Sequence, residues 1–191
     1  MKTSEVAQRL VVGISGASGA IYGVRLLQAL AALDVETHLV VTSPGETTLR
    51  AELGLDLGAL QALATRAYAS DNVAASIASG SFPTRGMVVA PCSMRTLSAV
   101  ANSHTDNLLV RAADVTLKEG RPLVLVVRET PLHLGHLRLL VQAAEIGAII
   151  FPPVPAFYAK PVTLDEMVDH TVGRILSRIG IDNRLYTPWG T

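Results

Sequence analysis

The stretch LVVGISGASGAIYG, from Leu10 to Gly23, constrains the fold more than any other part of the chain. An apolar, β-branched run breaks into Gly13, Gly16 and Gly19 before a helical pattern begins. This order is typical of a buried parallel strand that turns into a helix beside a phosphate group, because glycines let an anion approach the backbone N–H groups. Taken alone, the pattern is equally compatible with a ligand-binding loop and a plain tight turn.

The same alternation of short apolar runs and helical patterns continues along the chain. Strands are predicted at 9–15, 36–42, 86–91, 122–128 and 147–152, and helices at 20–33, 46–53, 57–67, 93–102, 107–119, 134–144 and 163–179. This predicts a three-layer α/β fold, a doubly wound parallel sheet of five or six strands. We expect one domain over residues 1–191, with its core at about 9–180 and a C-terminal tail at 181–191.

Composition narrows the class of protein. The 16 basic and 16 acidic residues cancel, so nothing indicates a polyanionic partner such as nucleic acid. Hydrophobic residues make up 49% of the sequence and charged residues 17%, which predicts buried subunit contacts in a homo-oligomer. No apolar run approaches the roughly 18 residues of a membrane span, and the start lacks the apolar core of a signal peptide. With a single cysteine, Cys92, we expect a cytoplasmic protein without disulfides.

Polar residues follow several of the predicted strands. The second strand ends in Thr42 rather than in an acid, which argues against NAD and leaves a site for a mononucleotide phosphate. Ser93 follows the third strand and is placed to cap a helix. Arg128 and Glu129 end the fourth, where a functional pair and a structural ion pair are equally compatible with the sequence.

Other polar residues have plain interpretations on spacing alone. Glu52 reads as a solvated surface acid, and Arg111 and Lys118 as the basic face of a helix. His133 and His136 have the i, i+3 spacing of metal ligands, but the nearby sequence offers no third ligand, so a metal site is disfavoured.

Five motifs occur in the order and spacing of the UbiX-type flavin prenyltransferases: SGASGAIYG, APCSMRTLS, RAADVTLKE, VRETPLHLGHLR and PPVPAFY. The chain resembles this family from Leu10 to Trp189. The resemblance implies a flavodoxin-like fold and a dodecamer with active sites between subunits. It also implies transfer of a dimethylallyl group from dimethylallyl monophosphate to N5 and C6 of reduced FMN, without a metal. The product, prenylated FMN, serves a UbiD-type decarboxylase, in many bacteria in ubiquinone biosynthesis.

The resemblance also implies roles for individual residues. The residues that it implies bind FMN are Gly16, Ala17, Ser18, Thr42, Ser93, Met94, Arg95, Thr96 and Arg128. It implies that Tyr158 and Arg174 bind dimethylallyl phosphate and that Arg111 and Lys118 support this binding. Glu129 matches the acid beside that phosphate, Ser18 and Glu52 match the proton-transfer pair of ring closure, and Trp189 matches a tryptophan that helps close the site.

These residue types suit the chemistry. Phosphate leaves an allylic carbon readily only when cations and an acid neutralise its growing charge, and ring closure needs a base for the C6 proton. The chain departs from the family pattern at a few positions, namely Thr42, Pro44-Gly45, Arg95, Gly120 and Ala159. The Pro44-Gly45 departure leaves the path of the helix toward Glu52 open. The Ala159 departure leaves the phosphate side of the pocket open.

Three other functions stay open on the sequence. A flavin-dependent cysteine decarboxylase of the same superfamily would share the fold, but no histidine lies in the matching position. A non-catalytic FMN carrier would need the FMN-binding turns without the phosphate-binding cations. A serine hydrolase is disfavoured because GISGA misses the last glycine of the G-x-S-x-G turn.

Overall fold

The computed structural model describes residues 9–190, and its centre is a six-stranded sheet in which every pair of neighbouring strands is parallel. The strand order is β3-β2-β1-β4-β5-β6. The strands are β1 Arg9–Ile14, β2 Glu36–Val41, β3 Arg66–Tyr68, β4 Gly86–Cys92, β5 Leu123–Val127 and β6 Ile149–Ile150. The prediction of a doubly wound parallel sheet is confirmed.

In the described part of the chain, seven α-helices connect the strands or follow them. They are α1 Ala20–Ala32, α2 Ser43–Leu53, α3 Leu57–Gln61, α4 Met94–Ala101, α5 Leu108–Lys118, α6 Leu134–Glu145 and α7 Leu164–Arg178. Side chains cap several of them. For example, the Thr163 hydroxyl accepts a hydrogen bond from the Glu166 backbone N–H at 3.1 Å, as its position before α7 predicts.

The predicted helix over 57–67 is wrong in its second half. Helix α3 ends at Gln61, and the chain then forms the edge strand β3 beside β2. Thr37 and Thr65 hold the two segments together, because each hydroxyl accepts the other residue's backbone N–H at 3.0 Å. Pairing with a distant strand therefore overrides the local helical pattern. Helix α2 also begins three residues before the predicted start, at Ser43.

The core forms two layers, one on each face of the sheet. Leu10 and Val12 of β1 pack with α1 and α7, whereas Val11 between them packs with α4 and α5. Side chains alternate along a strand, so an apolar run this long fills both layers. The two core layers place α5 and α7 on opposite faces of the sheet, and this separation determines which site residues can meet within one chain.

One polar network crosses the edge of the second layer. His38 is 1% exposed; its Nδ1 lies 2.8 Å from the Tyr68 hydroxyl and its Nε2 lies 3.0 Å from Glu36 Oε1. Glu36 also accepts a hydrogen bond from Arg9 at 2.7 Å, and the Tyr68 hydroxyl lies 2.9 Å from the Ser76 Oγ. The network links β1, β2 and β3 to the short 3-10 turn Ser76–Ala78. Within residues 9–190, no helix combines the length and apolar character needed to cross a bilayer.

Candidate active site

The two turns that the sequence singled out lie side by side. Strand β1 pairs with β2 on one side and β4 on the other, and the connections after β1 and β4 leave toward opposite edges of the sheet. A crevice forms at such a switch point, outside the carboxyl ends of the strands, and α/β proteins bind ligands there.

Ser15 joins the two turns, a role that sequence reasoning missed. Its backbone N–H and its hydroxyl both donate to the Pro91 carbonyl, at 3.2 and 3.0 Å, and the hydroxyl accepts the Ser93 backbone N–H at 2.8 Å. Ser15 is 1% exposed, so these bonds are shielded from water. A hydroxyl inside an otherwise small, apolar motif is the signal that could have identified it.

A cleft of about 370 Å³ opens between these turns and the start of α2. Its lining includes five of the predicted FMN-binding residues: Gly16, Thr42, Ser93, Arg95 and Thr96. The Thr42 hydroxyl caps α2 by accepting the Gly45 N–H at 3.2 Å. The donors suit a phosphate ester, because hydroxyl groups and a helix N-terminus are joined by the exposed Arg95 guanidinium, which in the chain itself lies 3.7 Å from a carboxylate oxygen of Asp106 in the same cleft.

Two of the three predicted turn residues outside this cleft have packing roles in the chain itself. Ala17 is buried, with its backbone N–H donating to the Ser15 carbonyl at 3.0 Å. Met94 begins α4 and packs against the second core layer. Both lie next to residues that line the cleft.

Pro44-Gly45 does not disturb the path toward Glu52. Pro44 occupies the first turn of α2, where its missing N–H costs nothing. A Cβ on Gly45 would lie 2.7 Å from the Ile14 carbonyl oxygen, and a Cβ on Gly16 would lie 2.4 Å from the Pro44 Cβ. Two glycines therefore let α2 begin directly against the end of β1.

Glu52 is an exposed residue of α2, and its carboxylate lies at the N-terminus of α1. Its carboxylate accepts the Gly19 N–H at 2.9 Å and the Ala20 N–H at 2.9 Å. Desolvation raises its pKa, but the Ser18 hydroxyl, these two N–H groups and the Arg128 charge outweigh it and lower the pKa overall. An anion does meet the N–H groups of this helix start, but in the chain itself it is the Glu52 carboxylate rather than a phosphate.

A second cavity, of about 560 Å³, is lined by Ser18 and Gly19, close in the chain to Gly16 of the first cleft. Ser18, Glu52 and Arg128 line it together with Tyr22, which sequence reasoning did not single out. Burial raises the pKa of Tyr22, and Arg128 opposes that shift. Glu129 follows Arg128, and its exposed carboxylate accepts the Thr130 N–H at 3.0 Å. The structure thus brings the predicted proton-transfer pair beside the strand that carries Arg128 and Glu129.

Tyr158 and Arg174 belong to an aromatic cluster on the outer side of α7. The Tyr158 hydroxyl lies 3.2 Å from His170 Nε2, and the Tyr158 and Trp189 ring centroids are 4.9 Å apart. The Arg174 guanidinium lies 5.9 Å from the centroid of the Tyr186 ring. The tail can pack here because position 173 is a glycine, where a Cβ would lie 2.8 Å from Tyr186.

Arg111 and Lys118 are not part of this cluster within one chain. They lie on α5, which packs on the opposite face of the sheet from α7. Arg111 bonds to the Ala78 carbonyl at 3.2 Å and to Asp114 at 3.1 Å, whereas Lys118 contacts Glu119 at 2.6 Å. The four predicted donor-binding residues therefore fall into two separate pairs.

His133, the first histidine of the predicted i, i+3 pair, has a structural use. His133 Nδ1 accepts the Gly135 N–H at 3.0 Å and so caps α6. Residues 9–190 contain no group of three or more side chains placed to share a metal ion. Burial raises the pKa of the Cys92 thiol to about 12, so this thiol stays protonated.

Comparison with known proteins gives a consistent result. The family model described as Flavoprotein matches residues 1–176. The flavin prenyltransferase UbiX of Escherichia coli (strain K12) is 61% identical over 175 residues, which cover 91% of this chain and 93% of that protein. More distant structures, such as the FMN-dependent cysteine decarboxylase TvaF at 18% identity and a TM-score of 0.62, share the fold alone.

Two solved structures superpose closely. The crystal structure of AnUbiX (PadA1) in complex with FMN and dimethylallyl pyrophosphate has a TM-score of 0.94 and 44% identity, and the match covers 96% of this chain and 97% of that one. The dodecameric FMN-dependent UbiX-like decarboxylase from Escherichia coli O157:H7 has a TM-score of 0.93 and 44% identity, covering 96% and 100%. The chain belongs to the flavoprotein family and, within it, to the UbiX-type flavin prenyltransferases.

Proposed function

We propose that this chain joins the dimethylallyl group of dimethylallyl monophosphate to N5 and C6 of reduced FMN, giving prenylated FMN and inorganic phosphate. The observation that carries the proposal is the close superposition on AnUbiX, a protein solved with FMN and dimethylallyl pyrophosphate. Both cavities lie at the carboxyl edge of the sheet, so one ligand can extend from one into the other. Reduced FMN supplies the two nucleophilic atoms.

The first cleft binds the FMN phosphate. Thr42, Ser93, Thr96 and Arg95 offer three hydroxyls and one cation, and Gly16 leaves the backbone uncovered. The Ser93 hydroxyl donates to Thr96 Oγ1 at 3.1 Å, which fixes both oxygens relative to the helix start. Arg128 then lies at the far end of the ligand, beside the second cavity.

The donor phosphate is held by Tyr158, Arg174, Arg111 and Lys118, with Glu129 beside it. As the allylic C–O bond breaks and a bond to N5 forms, negative charge grows on the leaving phosphate. The cations and the phenol stabilise that charge, and Glu129 supplies a proton to it. Loss of one such donor typically costs about 3 kcal/mol in the barrier.

Ring closure forms the bond between C6 and the tertiary carbon of the transferred group. The double bond of that group takes up the proton that N5 releases on alkylation, and Ser18 with Glu52 accepts the proton that C6 loses. The hydroxyl of Ser18 bonds to the Glu52 carboxylate, whose lowered pKa keeps it ionised at neutral pH. An ionised carboxylate can accept a proton through a hydroxyl, as a general base requires. Glu52 thus has two tasks, because the same carboxylate caps α1.

The complete site is shared between subunits. In one chain α5 and α7 lie on opposite faces of the sheet, so Arg111 and Lys118 of one subunit would reach the Tyr158 and Arg174 of its neighbour. Exposed apolar side chains support such contacts: Val154, Phe157, Val162, Leu164 and Trp189 are each more than 70% exposed in the single chain. We infer a homo-oligomer, a dodecamer like the Escherichia coli O157:H7 protein.

The product leaves for a UbiD-type decarboxylase in the cytoplasm. Prenylated FMN is a diffusible nucleotide, so the two cavities at the sheet edge must open for its release. The net charge of zero is compatible with a transient encounter rather than a strongly steered one.

Mass spectrometry of the flavin tests the proposal. Purified protein is incubated anaerobically with reduced FMN and either dimethylallyl monophosphate or the diphosphate. We expect a mass gain of one isoprenoid unit with the monophosphate. A protein that binds FMN but produces no mass gain with either donor would instead be an FMN carrier.

A further inference from the structure

His170 lies on α7 in direct contact with Tyr158, and none of the roles described so far uses it. Its Nε2 lies 3.2 Å from the Tyr158 hydroxyl, and the two rings meet edge to face with their centroids 5.6 Å apart. His170 is 7% exposed, whereas Tyr158 is 41% exposed. The buried His170 ring therefore orients the Tyr158 side chain, which is exposed to solvent.

The surroundings of His170 favour a neutral imidazole. Burial lowers its pKa, and the positive charge of Arg174, one turn further along α7, lowers it as well. The Tyr186 ring packs against its other edge at a centroid distance of 5.5 Å. Ala159, which follows Tyr158 and lines the same cavity as His170, carries no hydrogen-bonding side chain.

The direction of the hydrogen bond decides what Tyr158 can do. A tyrosine hydroxyl has one hydrogen and can donate it once. If His170 Nε2 accepted that hydrogen, Tyr158 could only accept from a ligand, which does not suit a phosphate oxygen. If Nε2 carries the hydrogen of the neutral ring, the Tyr158 hydroxyl accepts from it and keeps its own hydrogen for an anion.

We propose that His170 is a positioning residue for the donor: its Nε2–H donates to the Tyr158 oxygen and thereby directs the Tyr158 hydrogen to a phosphate oxygen of dimethylallyl phosphate. The inference rests on the proposed function, in which Tyr158 binds that phosphate. The same contact holds the Tyr158 ring against Trp189, so His170 also supports the side of the pocket that the C-terminal tail forms.

The effect should appear in donor binding as well as in chemistry, because the contact already exists before the C–O bond breaks. We would measure the Kd of dimethylallyl monophosphate for the protein–FMN complex with oxidised flavin, by calorimetry, where no turnover occurs. His170→Phe keeps an aromatic ring but removes the N–H, and we expect Kd to rise about five- to tenfold. His170→Gln keeps a side-chain N–H donor, and we expect Kd within about twofold of the parent. The affinity for FMN should be equal in all three proteins.

A double-mutant cycle separates positioning from general packing. In a Tyr158→Phe background the hydroxyl is gone, so His170→Phe should have almost no further effect on Kd. In turnover with reduced FMN, His170→Phe should raise KM for the donor and also lower kcat, because a misdirected Tyr158 hydrogen stabilises less of the charge that grows on the leaving phosphate.

Three results would overturn the role of His170: an unchanged Kd for His170→Phe, an equal loss of affinity for His170→Gln, or an undiminished effect in the Tyr158→Phe background. A parent protein that binds the donor but makes no prenylated flavin would refute the proposed function, and the affinity measurements would still decide the role of His170. A parent protein that does not bind the donor would refute both.

Discussion

The carboxylate of Glu52, from the last turn of α2, accepts the backbone N–H of Gly19 at 2.9 Å and so closes the N-terminus of α1. This contact joins two helices that leave adjacent strands, and it puts a base beside Ser18 at the rim of the larger cavity. The helix start that the glycine motif forms is therefore filled by a side chain of the protein, and our proposal assigns the FMN phosphate to the neighbouring turns.

Replacing Glu52 with glutamine should affect both stability and catalysis. The amide oxygen can still accept one N–H, but the charge at the helix terminus is lost, so we expect the free energy of unfolding to fall by about 1 kcal/mol. Without the base, formation of prenylated FMN should slow on the order of a hundredfold. Urea denaturation and an anaerobic flavin assay measure the two effects. Glu145→Gln, at an exposed position of α6, is the control, and equal behaviour of the two variants would contradict both roles.

Gly16→Ala should weaken FMN binding. The added Cβ would lie 2.4 Å from the Pro44 Cβ, so α2 must shift away from the turn, at a cost of about 1–3 kcal/mol. Because the same turn lines the phosphate cleft, we expect at least a tenfold higher Kd for FMN, measured by flavin fluorescence. Gly58→Ala is the matched control, since its Cβ would meet Asp56 only at 3.4 Å. Unaltered FMN affinity in Gly16→Ala would argue against this cleft as the phosphate site.

Stability should fall as the pH drops from 7 to 5. Burial lowers the pKa of His38 in the folded protein, although the hydrogen bond to Glu36 opposes the shift. Between its folded pKa and its ordinary value of about 6.5, the unfolded chain binds more protons, so acid favours unfolding. The lowered pKa of His170 acts in the same direction. Thermal unfolding against pH should show a smaller decline for His38→Asn than for the parent, and parallel curves would contradict this assignment.

The hydrogen-bond network around His38 should make the stability of the fold decline further at lower pH. The hydrogen bond from Arg9 is the main reason that the pKa of Glu36 is lowered in the folded protein. The stability that Glu36 contributes is therefore complete above the ordinary pKa of a glutamate, and it is lost as the pH falls through the pKa of Glu36 in the folded protein. We therefore expect Glu36→Gln to remove part of the decline below pH 5. The same measurement on His104→Asn, an exposed histidine, should reproduce the parent curve.

Glu129→Gln should separate chemistry from flavin binding. The carboxyl group lies at the exposed end of β5, next to Arg128, and contributes no core packing. We expect kcat to fall on the order of a hundredfold, with the Kd of FMN and the melting temperature within error of the parent. Single-turnover assays with reduced FMN measure this. A Glu129→Gln variant with the parental kcat would contradict the proposal that Glu129 protonates the leaving phosphate.

Much of the fold could be predicted because four of the six strands, β1, β2, β4 and β5, are buried except for the first residue of β1 and of β2. Strand β3 could not, since its three residues, Arg66 to Tyr68, gain their structure from pairing with β2 and have no strong pattern of their own. The start of α2 was also missed, because its first turn contains Pro44 and Gly45, which usually end helices rather than begin them.

The site could be predicted by resemblance but not by spacing. Glu52 has the pattern of a surface acid, and only its tertiary contact with Gly19 reveals a different role. Ser15, Tyr22 and His170 matter through partners far along the chain, such as Pro91 for Ser15. No local pattern places Lys118 and Arg174 on opposite faces of one sheet, because that depends on the packing of both core layers.

The shared site is tested most directly by mixed oligomers of two inactive variants. Lys118→Ala and Arg174→Ala should each make prenylated FMN very slowly when pure. In oligomers assembled from equal amounts of both, about a quarter of the sites would combine an intact Lys118 from one subunit with an intact Arg174 from its neighbour. We predict recovery of about a quarter of the parental rate, measured as prenylated flavin by mass spectrometry. Mixed oligomers no more active than the pure variants would contradict a site shared in this way.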